Sequence, residues 1–274
     1  MAITLYKAPN CLRCKITKEY IEANNIPYNA FDLEADKDIV NSFYRNNRSR
    51  LYRNPEGAEF PMFHDADNDV ILQGTGLVLA YLLAGDKLND CVCRSDLLHG
   101  WISGLNVSRV PGGQEGKFLE LVRLLAKGGL QVYLVSSGPK AALLEKILAE
   151  DLVSKMVLDI PGPAQAYPDA GLAAPSPEDL KKSIALTRSH KNAVIRLWLN
   201  PLKAADGGYY WLSPDQAGEA AKMVADTSDP GLPFGIQASG ATAEGLEPLG
   251  DSLLPYRSKV RNYLPKAEIL KADS

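Results

Sequence analysis

The sequence predicts an α/β protein built in two parts, and three observations carry that prediction. Up to about residue 85 the chain opens with an apolar strand, a helix and a second strand, then runs through two short strands into an apolar helix. From about residue 100, apolar strands alternate with helical stretches, the pattern of a parallel sheet covered on both faces or of a barrel. Between them KLNDCVCRSD, Lys87 to Asp96, is short and polar. It divides the chain into 1–88, a linker at 89–96, and 97–274.

Each element has its own local reason. ITLY, Ile3 to Tyr6, is a short apolar strand, and Lys15 to Ala23 is rich in helix formers with no breaker. Tyr28 to Leu33 alternates as a strand, with Tyr28, Ala30 and Asp32 on one face and Asn29, Phe31 and Leu33 on the other. Lys37 to Arg45 reads as a helix. EFPMFHD and DVILQ are strands around the turn DADND, and TGLVLAYLLAG is an apolar helix ending at Gly85. In the second part WISGLNV, LQVYLVSS, KMVLDI, AVIRLWL and FGIQA read as strands. The helices between them are Lys117 to Lys127, Lys140 to Glu150, Glu178 to Ser189 and Pro214 to Ala225. A loop rich in Pro, Gly and Ala spans Pro161 to Pro177, and the tail from Tyr256 is a closing segment.

Composition narrows the function. The 274 residues are 46% hydrophobic and 23% charged, with a formal net charge of -3. That is an ordinary globular balance, and it lacks the basic footprint of a nucleic-acid binder. No stretch approaches the roughly 18 apolar residues of a membrane span, and the start, MAITLYKAPNC, lacks a secretory pattern. A cytoplasmic setting is expected, with no membrane partner. Thiols there are kept reduced, so closely spaced cysteines point to catalysis or metal binding more than to structural disulfides.

The chain has four cysteines, at 11, 14, 91 and 93. Cys11 and Cys14 stand where a strand runs into a helix. Unpaired N–H groups and the helix dipole at such a start favour thiolate over thiol, so Cys11 is the candidate nucleophile. Cys14, one turn into the helix, is placed to resolve a mixed disulfide, and Arg13 adds positive charge. Two other readings stand beside this one. CLRC and DCVC could together supply four sulfur ligands for zinc or an iron–sulfur cluster, although about 13 Å of intervening helix separates them. The thiols could also be inert packing residues.

TLYKAPNCLRCKITKEYIEANNIPYNAFDL resembles a glutaredoxin, and is similar to the glutaredoxin-like electron donors of ribonucleotide reductase in its Cys-x-x-Cys-x-x-Thr-Lys motif, here Cys11, Cys14, Thr17 and Lys18. The resemblance covers about residues 1 to 88 and implies a thioredoxin/glutaredoxin fold. It also implies a cis-proline at Pro61 in EFPMF and a glycine turn at Gly74, Thr75 and Gly76 that opens the last helix. Amides of that turn would hold a carboxylate of glutathione or of a client peptide, with Lys7 and Arg13 nearby. Two features depart from the family. Leu12 and Arg13 replace the usual Pro-Tyr, and Ala8 stands where the family has a basic residue, with Lys7 one position earlier. The implied reductant is therefore a thioredoxin-reductase-like protein or glutathione, and the implied partner is a protein client held through a mixed disulfide.

From Trp101 the chain resembles, more weakly, the radical S-adenosylmethionine activating enzymes, which implies a partial (β/α) barrel. The likeness lies in VPGGQEG, LVSSG, KMVLDIPGP, VIRLWLNPL and FGIQA, which place Gly112, Gly113, Ser137, Asp159, Arg196 and Gln237 at or beside strand ends. The family's cysteine triplet is absent, and Pro161 replaces its lysine, so radical chemistry is excluded and no cofactor is expected. What remains is a vestigial pocket or a set of structural polar contacts, in which Asp159 caps a loop, Arg196 pairs with a carboxylate and Gln237 satisfies a backbone group. The three histidines, 64, 99 and 190, lack metal spacing. Two functions follow: a dithiol oxidoreductase whose barrel docks a client, by analogy from anaerobic radical metabolism, or a redox-sensing or ligand-binding regulatory module.

Overall fold

The computed structural model describes residues 3–54, 57–92, 101–250 and 252–271. Half of the expected linker at 89–96, residues 93–96, lies outside the described residues, as do Cys93 and His99. The protein is mixed α/β and packs into two compact units, 1–105 with 110–132, and 106–109 with 133–274.

In chain order the first elements are β1 (Ile3–Lys7), α1 (Leu12–Ala23), β2 (Tyr28–Asp32) and α2 (Lys37–Asn46). Two short pairs follow, β3 (Arg53–Asn54) with β4 (Gly57–Ala58) and β5 (Met62–Asp65) with β6 (Val70–Gln73), and then α3 (Thr75–Ala84). The four main strands form a sheet of order β2-β1-β5-β6. β1 runs parallel to β2 and antiparallel to β5, and β6 returns beside β5.

Strand alternation decides what this sheet buries. Ile3 and Leu5 point to one face with Phe63, where they meet Ile21 of α1 and Val78 of α3. Tyr6 and Met62 point to the other, against Val40 and Phe43 of α2. Tyr28 packs at the first core and Phe31 with Leu33 at the second, the division that period-two reading of that strand gives. Tyr6 stacks on Phe43 with ring centroids 4.0 Å apart, and such pairing contributes about 1 kcal/mol beyond burial.

After the polar stretch come β7 (Trp101–Asn106), α4 (Glu115–Lys127) and β8 (Gln131–Ser136). The bulk of β7 and all of α4 count with the first unit, where α4 packs on α3. Gly128, just past α4, comes so close to α1 that an added Cβ would stand 2.6 Å from Ile16 Cδ1. The turn before α4 closes through a 3.1 Å hydrogen bond from Gln114 N–H to the Pro111 carbonyl, and its third residue, Gly113, has φ +80°, which glycine tolerates.

The remaining elements are α5 (Ala141–Leu148), β9 (Lys155–Ile160), α6 (Pro177–Ser189), β10 (Ala193–Leu199), β11 (Leu202–Lys203), β12 (Tyr209–Tyr210), α7 (Pro214–Thr227), β13 (Phe234–Ala238), α8 (Leu254–Arg261) and β14 (Ala267–Ile269). The large sheet is parallel with six strands in order β7-β8-β9-β10-β13-β14. Its order follows the sequence without reversal, so right-handed crossovers bring the connecting helices to one face. The core agrees: Leu158, Ile160, Leu197, Leu199 and Ile236 point into a cluster shared by α6, α7 and α8.

Local caps explain where these helices begin. Ser176 Oγ accepts from Asp179 N–H at 3.0 Å before α6. Ser213 and Gln216 form a reciprocal capping box before α7, with Pro214 in its first turn. The hairpin of β11 and β12 and the final strand β14 were not expected as separate elements. β14 turns the closing tail into the sixth strand of the sheet.

Candidate functional site

Cys11 is the N-cap of α1, and its Sγ accepts from Cys14 N–H at 3.1 Å. Asn10 precedes it at φ +54°, the left-handed turn that lets β1 hand over to the helix at this point. The two cysteines are disulfide-bonded with Cα atoms 5.2 Å apart. Cys11 is half-buried and Cys14 is 3% exposed, so the first sulfur is the more accessible. A cleft of about 620 Å³ opens beside them, lined among others by Lys7, Leu12, Lys15, Lys18 and Asp32. Leu12 is among the exposed large apolar residues.

The turn between the cysteines is held from α1 and α3. The carbonyl of Arg13 accepts from Thr75 Oγ1 at 2.7 Å and from Thr17 Oγ1 at 3.1 Å, and both threonines are fully buried. The Phe60–Pro61 peptide is cis, the form that the family resemblance implied for Pro61. Gly74 caps α3 at φ +83° and donates its N–H to the Pro61 carbonyl at 2.9 Å.

Charges around the pair are matched. Lys7 Nζ lies 2.7 Å from Asp32, and that hydrogen bond, with amides of the following turn, holds the Asp32 carboxyl below the usual carboxylate range. Arg13 turns to Glu59, with Nη1 3.5 Å from Oε1. Glu59 gave no signal in the sequence; it reaches this place because β5 enters the sheet beside β1. Lys7, Arg13, Cys11, Cys14, Pro61, Gly74 and Thr75 thus belong to one unit, and Arg13 and Thr75 directly contact one another.

The residues expected of a second pocket divide. Arg196 Nε donates to Asp159 at 2.6 Å, and its Nη1 donates to Gln237 Oε1 at 2.5 Å. The guanidinium also lies 4.1 Å from the centre of the Trp198 ring. Gln237 Nε2 donates to the Lys271 carbonyl at 3.1 Å. Registers of the parallel strands set this up, because Arg196 stands opposite both Asp159 and Gly235. The pairing of Arg196 with a carboxylate and of Gln237 with a backbone group is the structural arrangement named above.

Ser137 does not join them: its N–H donates to Ser108 Oγ at 2.8 Å and its carbonyl accepts from Tyr167 at 2.9 Å. Gly112 and Gly113 lie in the exposed turn before α4, with open space where a Cβ would be.

Cys91 is a buried thiol. Among the described residues no group of three or more His, Cys, Asp or Glu is arranged to hold a metal ion, and no helix is long and apolar enough to cross a membrane. His64 lies 5.6 Å from the Phe43 ring, and His190 faces the carbonyls of Val153 and Asn192. In comparisons with known proteins, no family model matches the chain and no curated protein is significantly similar to it.

Proposed function

We propose that the protein is a cytoplasmic thiol–disulfide oxidoreductase in which Cys11 attacks and Cys14 resolves. The observation that carries this reading is the disulfide across the first turn of α1, with its accessible sulfur at a helix N-terminus beside an open cleft. In the reduced protein, Cys11 loses its proton more readily than an ordinary thiol, because the dipole and open amides of α1 favour the anion.

The thiolate attacks one sulfur of a client disulfide, and the client's other sulfur leaves as a thiolate. Cys14 then attacks Cys11 Sγ, releases the reduced client and closes the intramolecular disulfide. Two electrons pass to the client, and a reductant must return them.

Sheet order and helix placement in the first unit support a glutaredoxin-like fold for this part. The consecutive, parallel order of the six-stranded sheet supports a partial (β/α) barrel for the other, whose part is to dock the client protein. The reductant is a thioredoxin-reductase-like protein or glutathione.

The test is reduction of insulin or of a mixed-disulfide substrate. Cys11→Ser abolishes turnover under this reading. Cys14→Ser accumulates a covalent client complex that dithiothreitol dissolves. Unchanged turnover by Cys11→Ser removes the proposal.

A further inference from the structure

Beyond the matched pair of Lys7 and Asp32, two more lysines line the cleft beside Cys11. Lys15 and Lys18 are exposed, on the helix that the cysteine pair begins. Cys11, Lys15 and Lys18 stand at i, i+4 and i+7, so they form one stripe along α1. At 1.5 Å per residue the two lysines lie about 6 and 10 Å along the axis from the cysteine.

Their partners hold them weakly. Lys15 reaches Glu19 at 3.7 Å and Lys18 reaches Glu22 at 3.5 Å, each across one exposed helical turn. Such pairs stabilise little and open readily. Glu22 also accepts from the Tyr28 hydroxyl at 3.0 Å, so it keeps a partner when Lys18 turns away. Neither glutamate lines the cleft, whose wall is therefore positive on a chain of formal net charge -3. An anionic partner is drawn to such a wall at close range, within about a Debye length.

We propose that the client segment is acidic: an extended peptide whose disulfide cysteine meets Cys11 and whose carboxylates, two and three residues away, meet Lys15 and Lys18. An extended chain advances about 3.3 Å per residue, which matches the rise along α1 to each lysine. This rests on the oxidoreductase reading and names the substrate class for it.

In the step so selected, the Cys11 thiolate attacks one sulfur of the peptide disulfide RSSR, and RS⁻ leaves. Cys14 loses its proton and attacks Cys11 Sγ, and the second RS⁻ leaves. The dithiol is oxidised by two electrons and the peptide disulfide is reduced. Protons lost by the cysteines end on the peptide thiols or in water.

The experiment uses the intact, reduced protein and symmetric disulfides of short peptides with one central cysteine. Glutamate, glutamine or lysine fills the second and third positions on one side of it, before or after. Each rate of peptide-thiol release is divided by that of the same peptide with dithiothreitol, which removes the peptide's own reactivity. On the side that runs along α1, the glutamate-to-glutamine ratio is expected to rise about threefold for each lysine engaged, the size of one unit-charge pair about 6 Å apart in water. Lysine peptides fall below glutamine, and high salt brings every ratio towards one. Lys15→Gln with Lys18→Gln brings the glutamate ratio to about one. Lys37→Gln with Arg45→Gln removes as much charge from α2, on the opposite face of the sheet, and leaves the ratio high.

A native ratio near one on both sides overturns the proposal, as does a ratio that both double variants lower alike. Binding is read beside turnover, with the oxidised protein and labelled peptides carrying serine for cysteine. A chain that reduces every peptide equally loses the acidic client and keeps the enzyme. A chain that reduces none, yet binds the glutamate peptide through Lys15 and Lys18, loses the enzyme and keeps the acidic segment. One that neither reduces nor binds loses both.

Discussion

Thr75 Oγ1 donates a 2.7 Å hydrogen bond to the carbonyl of Arg13, so the first residue of α3 holds the middle of the turn between the two cysteines. Thr17, within α1, donates to the same oxygen at 3.1 Å. Two hydroxyl donors on this part-buried carbonyl hold the turn in place, and this is how distant chain fixes the local geometry of Cys11 and Cys14.

Thr75→Val removes the shorter of these bonds and keeps the volume. It is expected to lower stability by about 1–2 kcal/mol, measured by urea unfolding, because the Arg13 carbonyl loses the closer of its two hydroxyl donors. Thr75→Ser retains the hydroxyl and loses less. Equal stability of the valine variant and the native protein would show that the bond does not hold the turn.

Gly74→Ala meets two obstacles, a left-handed φ of +83° and the Glu59 carboxylate 2.5 Å from the new methyl group. The expected cost is about 2 kcal/mol or more. The double variant Gly74→Ala, Glu59→Ala recovers the contact part and keeps the backbone part. Thermal unfolding of the four proteins in this cycle reads the coupling directly; strict additivity contradicts the packing described.

Arg196 and Asp159 form an ion pair whose side chains are 7% and 13% exposed. Asp159→Asn takes a carboxylate away from a buried guanidinium, and is expected to destabilise by about 3 kcal/mol or more. Replacing both residues by leucine costs less than that single change, since the guanidinium goes as well. Denaturant midpoints of the two variants decide; the reverse order rules out charge burial as the cause.

Alkaline pH tests two tyrosines. Burial first, and then the hydrogen bond to Asp65, push Tyr81 up to about 12, and burial with the bond to Asp169 pushes Tyr210 up to about 12. The folded form keeps these phenols neutral where the unfolded chain ionises near 10. Their stabilisation is therefore complete below pH 10 and fades between about 10 and 12. Tyr81→Phe and Tyr210→Phe are expected to flatten the fall of unfolding free energy across that window. An unchanged slope in both variants contradicts the assignment.

Much of this architecture is legible in the chain. The alternation of Ile3, Leu5 and Tyr6 and the opposed faces of Tyr28 and Phe31 follow from the two-residue period of a strand, which needs no distant information. The starts of α6 and α7 are written in Ser176-Pro177 and Ser213-Pro214, because a cap acts within three residues. Cys11 at a helix start is local in the same way. The extra strand β14 was missed because AEI is short and carries a charge at its centre, and only pairing with β13 makes it a strand. Glu59 was missed for a related cause: a lone acid before Phe-Pro has no pattern of its own.

The amino-acid order alone determined the strand and helix alphabet, the position of the two sulfurs one helical turn apart, and the lack of a basic excess or of an apolar run long enough for a membrane-spanning helix. Tertiary packing alone decided that Arg13 turns to Glu59, that Arg196 joins Asp159 and Gln237, and that α4 packs on α3. Periodicity and capping act over a few residues and leave a trace in the sequence. Charge partners across a sheet depend on strand order and register, which many sequences could satisfy and which no short stretch encodes.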